Sequence, residues 1–284
     1  MPKRLVVAHL RSLVEKLDSD YKLSSRHFGR EAIHEMRVDI KRLRACLLLV
    51  DSILAEDRSS EILPRLNRLF KRAGKVRHYQ LEMDITRRYM DDSGLRLDWY
   101  YNLLKAEELY HRRRFAAHCD DFDLSFVGRG VRKIGRLLDP IDNDKMALLI
   151  RQHFEQLLKS LHDVTLDGDS ESAHFHAVRI LSKETRYVLE VLRKFPTDDN
   201  YFDNIDKHLL GLHQALGAWH DFDVSVIDLE RHRESLPTDS EICTESYSRF
   251  LAALTTERDL QLELFRSRWI DFCAIPQLTN QNVS

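Results

Sequence analysis

The sequence predicts an all-α fold built from long helices, and two observations support this prediction. Glycine contributes only 9 and proline only 6 of the 284 residues, well below their average usage of about 7% and 5%. Apolar residues recur with the 3.6-residue period of amphipathic helices through most of the chain. At 43% hydrophobic residues, a chain of this length can bury a large core.

Short stretches rich in Asp, Gly, Pro and Ser interrupt the helical periodicity and indicate loops. They lie at 91–94, 139–143, 167–170, 196–199 and 237–239. Pro140 is close to the midpoint, so we divide this single domain into a first helical half, about 1–139, and a second, about 140–284. The predicted helices span 3–19, 28–54, 59–90, 96–122, 127–138, 143–163, 172–195, 200–234 and 240–273.

One cationic pattern occurs twice in the chain, and the two copies begin 142 residues apart. The two copies are His34-x-x-Arg37-x-x-x-Lys41-x-x-Arg44 and His176-x-x-Arg179-x-x-x-Lys183-x-x-Arg186. At about 100° per residue, the four members of each copy share a stripe about 80° wide on an α-helix. Each stripe falls on the second predicted helix of its half, which indicates an internal duplication.

Apolar residues of the same helices lie directly beside the cationic stripes, as Met36 and Ile40 do in the first copy and Val178 in the second. The cations therefore border the buried face, where long stems pack and charged heads line a groove. Like charges three and four residues apart repel one another, so the stripes predict a polyanionic ligand. Arginine suits phosphate because its planar guanidinium bonds two oxygens, and lysine adds a mobile charge.

A second, weaker repeat follows each stripe and places a glycine inside a helical pattern, at Gly74 and Gly217. Because glycine costs a helix about 1 kcal/mol relative to alanine, we predict close helix packing at both positions. Lys71, Lys75 and Arg77 flank the first copy, and we expect them to extend the cationic surface.

The overall charge excludes binding of nucleic acid through bulk electrostatics. Lys and Arg number 44 against 46 Asp and Glu, giving a formal net charge of −2, so an anion site must come from local clustering. The four cysteines are scattered without metal-binding spacing, which fits a reducing cytoplasm. We expect no signal peptide and no membrane span, because charges interrupt every long apolar run.

Sequence motifs of catalytic and metal sites are missing. Val38 stands where a zinc-binding helix beginning at His34 needs its second histidine. The glycines at 128, 130 and 135 match neither phosphate-loop nor dinucleotide-binding spacing. We therefore expect no enzyme activity, no metal and no cofactor.

Three other interpretations stay open at this point. The stripes are solvated faces if Glu35, Asp39 and Glu184 pair with their cations. A phosphohydrolase would use Mg²⁺ held by acidic residues. An interaction module would bind phosphorylated or acidic proteins.

The duplicated segments resemble the CHAD domain, the conserved histidine α-helical domain. The resemblance lies in H-x-x-R-V-x-x-K-R-L-R-A at 34–45, H-x-x-R-I-x-x-K-x-x-R-Y at 176–187 and the segment 216–224, and it spans nearly the whole chain. It implies two four-helix halves related by pseudo-twofold symmetry around a basic central groove or pore. It also implies inorganic polyphosphate as the ligand, bound without known catalysis. This sequence departs from the family pattern at Glu184, where a basic residue is expected.

The repeat and the resemblance together predict a non-enzymatic polyphosphate-binding protein of the cytoplasm, with polyphosphate granules as a candidate location. We expect neither nucleic acid nor a membrane as partner. The predicted binding residues are His34, Arg37, Lys41, Arg42, Arg44, Lys71, Lys75, Arg77, His176, Arg179, Lys183 and Arg186.

Overall fold

A computed structural model describes residues 2–166, 171–195, 199–235 and 241–275 and contains no strand in these ranges, which confirms the all-α prediction. None of the helices within them is long and apolar enough to cross a bilayer. The loops predicted at 167–170, 196–199 and 237–239 lie outside the described residues, except for Asp199, which is the first residue of α8. The α-helices are α1 Pro2–His27, α2 Arg30–Leu54, α3 Leu63–Ser93, α4 Asp98–Asp120, α5 Leu124–Leu137, α6 Asn143–His162, α7 Glu171–Leu192, α8 Asp199–Arg231 and α9 Glu241–Cys273.

The start of α3 differs from the predicted start at residue 59, because Asp51 holds the preceding segment in a turn. The Asp51 carboxylate accepts hydrogen bonds from the backbone amides of Arg58 at 2.9 Å and Ser59 at 3.1 Å. Pro64 then stands in the first turn of α3, where its missing N–H leaves no hydrogen bond unmade. The helix therefore begins one turn later than its apolar periodicity indicates.

Two hydrophobic cores share the long helices α3, α4, α8 and α9. The larger core combines α1, α2, α5, α6 and α7 with adjoining parts of the other helices. The smaller core combines α4 with the second parts of α3 and α8 and the start of α9. On α3 the larger core ends at Val76 and the smaller begins at Met83, and on α8 these limits are Leu216 and Val226. The segments between these limits, which we call the polar gap, carry polar residues such as Arg77, Gln80 and Asp221 together with partly buried apolar residues that pack against either core.

The helices that carry the cationic stripes, α2 and α7, pack against each other. Arg37 interacts electrostatically with Arg179. Farther along both helices, Arg42 Nε lies 3.3 Å from Glu190 Oε2. Because the partners follow each other in the same order on both helices, α2 and α7 run in the same direction. Arg37 and Arg179 are equivalent positions of the repeat, whereas Glu190 is equivalent to Leu48 and not to Arg42. The pseudo-twofold relation of the halves and a central groove or pore stay predictions.

Candidate anion-binding site

A cluster of cations lies beside the polar gap, where α2, α3, α7 and α8 meet. Arg37 interacts electrostatically with Arg77 and Arg179, and Lys183 interacts with Arg179 and Lys41. We call these five residues the cationic cluster. The structure thus brings residues of both predicted stripes together, in the register that the repeat spacing requires.

Arg37 is half-buried and lies flat against Phe70 of α3. Its guanidinium carbon is 3.9 Å from the centre of the Phe70 ring, and its Nη1 donates a hydrogen bond of 2.7 Å to the Phe70 carbonyl oxygen. Burial, together with the charges of Arg77 and Arg179, lowers the pKa of Arg37 to about 10. Arg37 is therefore still charged at neutral pH, and α3 fixes its position.

The two repeat glycines have different surroundings. A side chain at position 74 would occupy the space of the Arg37 guanidinium, so close packing is the correct explanation for Gly74. At Gly217 an added Cβ would meet no described atom within 4 Å. The predicted close packing is wrong there, and open space lies beside α8.

Alanine at these two positions is expected to change stability in opposite directions. Gly217→Ala should raise the free energy of unfolding by up to about 1 kcal/mol, the difference in helix propensity. Gly74→Ala should lower it, because Arg37 loses a charged hydrogen bond worth about 1.5–3 kcal/mol. Urea denaturation of both variants measures the two changes. A stabilised Gly74→Ala variant would contradict the position of Arg37.

The charges of Lys41 and Lys183 repel each other, and neither lysine has an ion pair within the described ranges. Burial, with the charges of Arg37 and Arg179, lowers the pKa of Lys41 to about 8. Burial, with Arg179 and Lys41, lowers the pKa of Lys183 to about 7, although Asp221 acts in the opposite direction on both lysines. Lys183 is therefore only partly protonated at neutral pH and can gain a proton when an anion enters.

Asp221 of α8 is a carboxylate at the cationic cluster. Burial raises its pKa, and the charges of Arg179, Lys183 and Arg77 oppose this rise. Burial also lowers the pKa of Arg179, whereas the charge of Asp221 acts to raise it. The Arg179 Nε has no hydrogen-bond partner among the atoms described. The cations outnumber this carboxylate, so the cluster keeps a positive charge.

Two histidines of α8 that were not predicted as site residues, His213 and His220, lie close to the cationic cluster. Burial, followed by the charges of Lys183 and Lys41, lowers the pKa of His213 to about 3. Burial, followed by Arg179 and Lys183, lowers the pKa of His220 to about 4. The spacing of seven residues, which places both on one helix face, is the signal that could have found them.

Two arginines of the predicted stripes are neutralised by ion pairs. Arg42 pairs with Glu190, and Arg186 Nε lies 3.0 Å from Asp206 Oδ1. For these two residues the structure favours the interpretation of a salt-bridged face. They leave less charge for a ligand than the residues of the cationic cluster.

The histidines that begin the two stripes differ in exposure. His34 is half-buried, and burial, with the charges of Arg77 and Lys41, lowers its pKa. His176 is exposed and is one of the residues that line a pocket between α2 and α7. His34 therefore belongs to the edge of the cluster, whereas His176 is open to solvent.

Lys71 and Lys75 lie outside the cationic cluster, although the sequence predicted that they extend it. Both are exposed, and at about 100° per residue they point about 100–140° away from the direction of Phe70 on α3. The charge of Lys75 instead acts on His111 of α4. Of the three cations of α3 that were predicted to extend the cationic surface, only Arg77 belongs to the cluster. Its direction from the helix axis lies within about 20° of that of Phe70.

The pocket between α2 and α7 has a volume of about 280 Å³ and opens beside the cationic cluster. We call it the α2–α7 pocket. It combines cations with apolar and aromatic side chains. Glu184 lies in the pocket near Arg44. Burial raises the pKa of Glu184, and the charge of Arg44 partly offsets this rise. The lining residues are Lys41, Arg44, Ala45, Leu48, Phe70, His176, Arg179, Ile180, Lys183, Glu184 and Tyr187.

Acidic residues on the side of the smaller core are engaged by neighbouring side chains. His78 Nε2 lies 2.6 Å from Asp228 Oδ2, and Ser225 donates a hydrogen bond of 2.8 Å to Glu82. Burial raises the pKa of Glu82 to about 7. Within the described part of the chain, no three His, Cys, Asp or Glu residues are grouped to hold a metal ion.

A protein-family model covers both copies of the cationic repeat. The model of the CHAD domain matches residues 8–230, which is more than half of the chain. The chain belongs to the CHAD domain family. A comparison of this CHAD domain with curated proteins finds no significant match.

Solved structures share the fold of this CHAD domain. The crystal structure of the CHAD domain from the plant Ricinus communis has a TM-score of 0.72 and 21% sequence identity, covering 97% of this chain and 92% of that chain. PptA from Streptomyces chartreusis has a TM-score of 0.60 and 17% identity, covering 94% and 99%. At these identities the likeness establishes the fold of this CHAD domain.

Proposed function

We propose that this CHAD domain binds inorganic polyphosphate and does not hydrolyse it. The observation that carries the proposal is the pair Lys41 and Lys183, half-buried cations from opposite repeats that lie together without an ion pair in the described ranges. Burying like charges side by side destabilises the free protein. An anionic chain that contacts both repeats would remove this repulsion.

The length of the stripes supports an extended ligand over a single phosphate. From Arg37 to Arg44 the helix axis rises by about 10 Å, and α7 presents the equivalent residues opposite. Guanidinium groups can each bond two phosphate oxygens. A chain of phosphates reaches several of these cations at once, whereas orthophosphate does not.

Binding without hydrolysis is supported by the state of the nearby acidic residues. Glu82 accepts a hydrogen bond from Ser225, and Asp228 is held by His78 and Arg231. These contacts engage two of the carboxylates near the cationic cluster that could otherwise hold Mg²⁺. We propose the cytoplasm as the location because the cysteines are scattered, and polyphosphate granules as a candidate site because of the proposed ligand.

Long-chain polyphosphate is expected to bind more tightly than orthophosphate or ATP, with an affinity that falls steeply as salt rises. Each neutralised phosphate releases counterions, by analogy with nucleic acids. Calorimetric titration at several salt concentrations between about 50 and 200 mM, the range over which such effects are large, measures the slope. A flat salt response would contradict an electrostatic site. Release of orthophosphate during the titration would contradict binding without hydrolysis.

A further inference from the structure

The α2–α7 pocket contains more apolar surface than an inorganic phosphate chain can use. Leu48 on α2 is 37% exposed and Ile180 on α7 is 49% exposed, and both line the pocket with the aromatic residues Phe70 and Tyr187. Pockets of this kind, with apolar walls and a few placed polar groups, are typical of sites for organic ligands. Polyphosphate has no apolar part that would contact these side chains.

The apolar part of the pocket is continuous with the cationic cluster. Lys41, Arg179 and Lys183 line both the cluster and the pocket. Ile180 lies one residue after Arg179 and three before Lys183. An anionic group on these cations would therefore carry any attached organic group into the pocket.

We infer that the α2–α7 pocket holds the base of a nucleoside polyphosphate whose phosphates lie on the cationic cluster. This inference rests on the proposed function, since it uses the same cations for the phosphate chain. The aromatic and aliphatic walls suit a flat base, because bases stack on aromatic rings and pack on apolar side chains. Glu184 is a hydrogen-bond acceptor inside the pocket, which suits a base with an exocyclic amino group such as adenine.

A phosphorylated aromatic side chain fits these observations less well. A single phosphate would contact few of the clustered cations. A phenyl ring would also leave the half-buried Glu184 carboxylate without a donor, and an unpartnered buried polar group costs free energy. The combination of several adjacent cations with an acceptor in an apolar pocket favours a nucleotide with several phosphates.

The test compares ATP with inorganic tripolyphosphate by calorimetry, with a chelator present so that metal binding by the ligands plays no part. Tripolyphosphate carries at least as much negative charge as ATP, so electrostatics alone gives ATP no advantage. We expect ATP to bind about 5- to 100-fold more tightly, the range that stacking of one base contributes. Purine riboside triphosphate, which is ATP without its amino group, should bind about tenfold more weakly than ATP.

Two variants locate the base. Ile180→Ser should abolish the advantage of ATP over tripolyphosphate, whereas the control Leu148→Ser, at an apolar residue of α6 that is 54% exposed and does not line the pocket, should keep it. Glu184→Ala should abolish the preference for ATP over purine riboside triphosphate. The same change should leave tripolyphosphate binding equal or tighter, since it removes a negative charge.

The possible outcomes separate this inference from the proposed function. If long-chain polyphosphate binds but ATP binds no more tightly than tripolyphosphate, the nucleobase site is wrong and the proposed function stands. If phenyl triphosphate binds as tightly as ATP, the pocket accepts any aromatic group, which also overturns the inference. If neither long-chain polyphosphate nor ATP binds, both proposals fail.

Discussion

Replacing Arg179 and Lys183 together with alanine is expected to weaken the binding of long-chain polyphosphate by about 10²- to 10⁴-fold. Each lost hydrogen bond to a charged group costs about 1.5–3 kcal/mol of binding free energy. Two such losses weaken binding by this factor, because about 1.4 kcal/mol corresponds to a tenfold change in affinity. Both residues are half-buried members of the cationic cluster. Because the substitutions relieve repulsion among buried cations, the melting temperature of the free protein should rise, as is common when a functional site is removed.

The matched control is the double variant Lys71→Ala and Lys75→Ala. It removes the same formal charge from exposed positions of α3 that lie outside the cluster, so binding should weaken by much less than in the cluster variant. Calorimetry measures affinity, and circular dichroism measures helical content and melting. Equal losses in the two double variants would show that only bulk charge matters. Unfolding of the Arg179 and Lys183 variant would show that the stripe is structural.

Polyphosphate binding is expected to take up protons and to weaken as the pH rises from about 7 to about 9. In the free protein burial lowers the pKa of Lys183 to about 7 and that of Lys41 to about 8. A bound anion favours the protonated amines and raises both pKa values, so lysines that are neutral before binding must gain protons. Calorimetry in two buffers of different ionisation enthalpy counts the protons. Proton release on binding would contradict this account.

The same lysines link the stability of the free protein to pH. Their pKa values lie below the ordinary value of 10.5, so between about pH 7 and pH 9 the unfolded chain binds more protons than the folded one. The free energy of unfolding should therefore rise with pH across this window. Lys183→Met should reduce the slope and also the number of protons taken up on binding. An unchanged slope in this variant would contradict the lowered pKa of Lys183.

Those parts of the site that depend on local periodicity could be predicted from the sequence. The spacing of Arg37, Lys41, Arg179 and Lys183 places each pair on one side of its helix, and the duplication places the pairs in equivalent positions. Glycine and proline content and apolar periodicity were sufficient for the helical fold. These features are properties of single helices or of the repeat, and tertiary packing did not alter them.

The remaining features depend on which helices meet, and the sequence does not show this. His213 and His220 join the site because α8 packs beside α7, and Arg186 is neutralised because Asp206 lies on that same neighbour. Lys71 and Lys75 follow the sequence pattern of a basic segment, yet α3 turns them to solvent. Leu48 and Ile180 look like ordinary helix residues until α2 and α7 form a pocket between them.

The division of the apolar residues into two cores has a consequence for how the chain unfolds. Local opening follows the distribution of buried apolar contacts and occurs in cooperative units. We expect the smaller core, at the C-terminal ends of α3 and α8, to form such a unit and to open while the larger core stays intact. Arg77 and Asp221 lie on the stretches of α3 and α8 that connect the units. The proposed anion, bound between the two cores, would therefore make the opening of the smaller core depend on whether the cationic cluster is occupied.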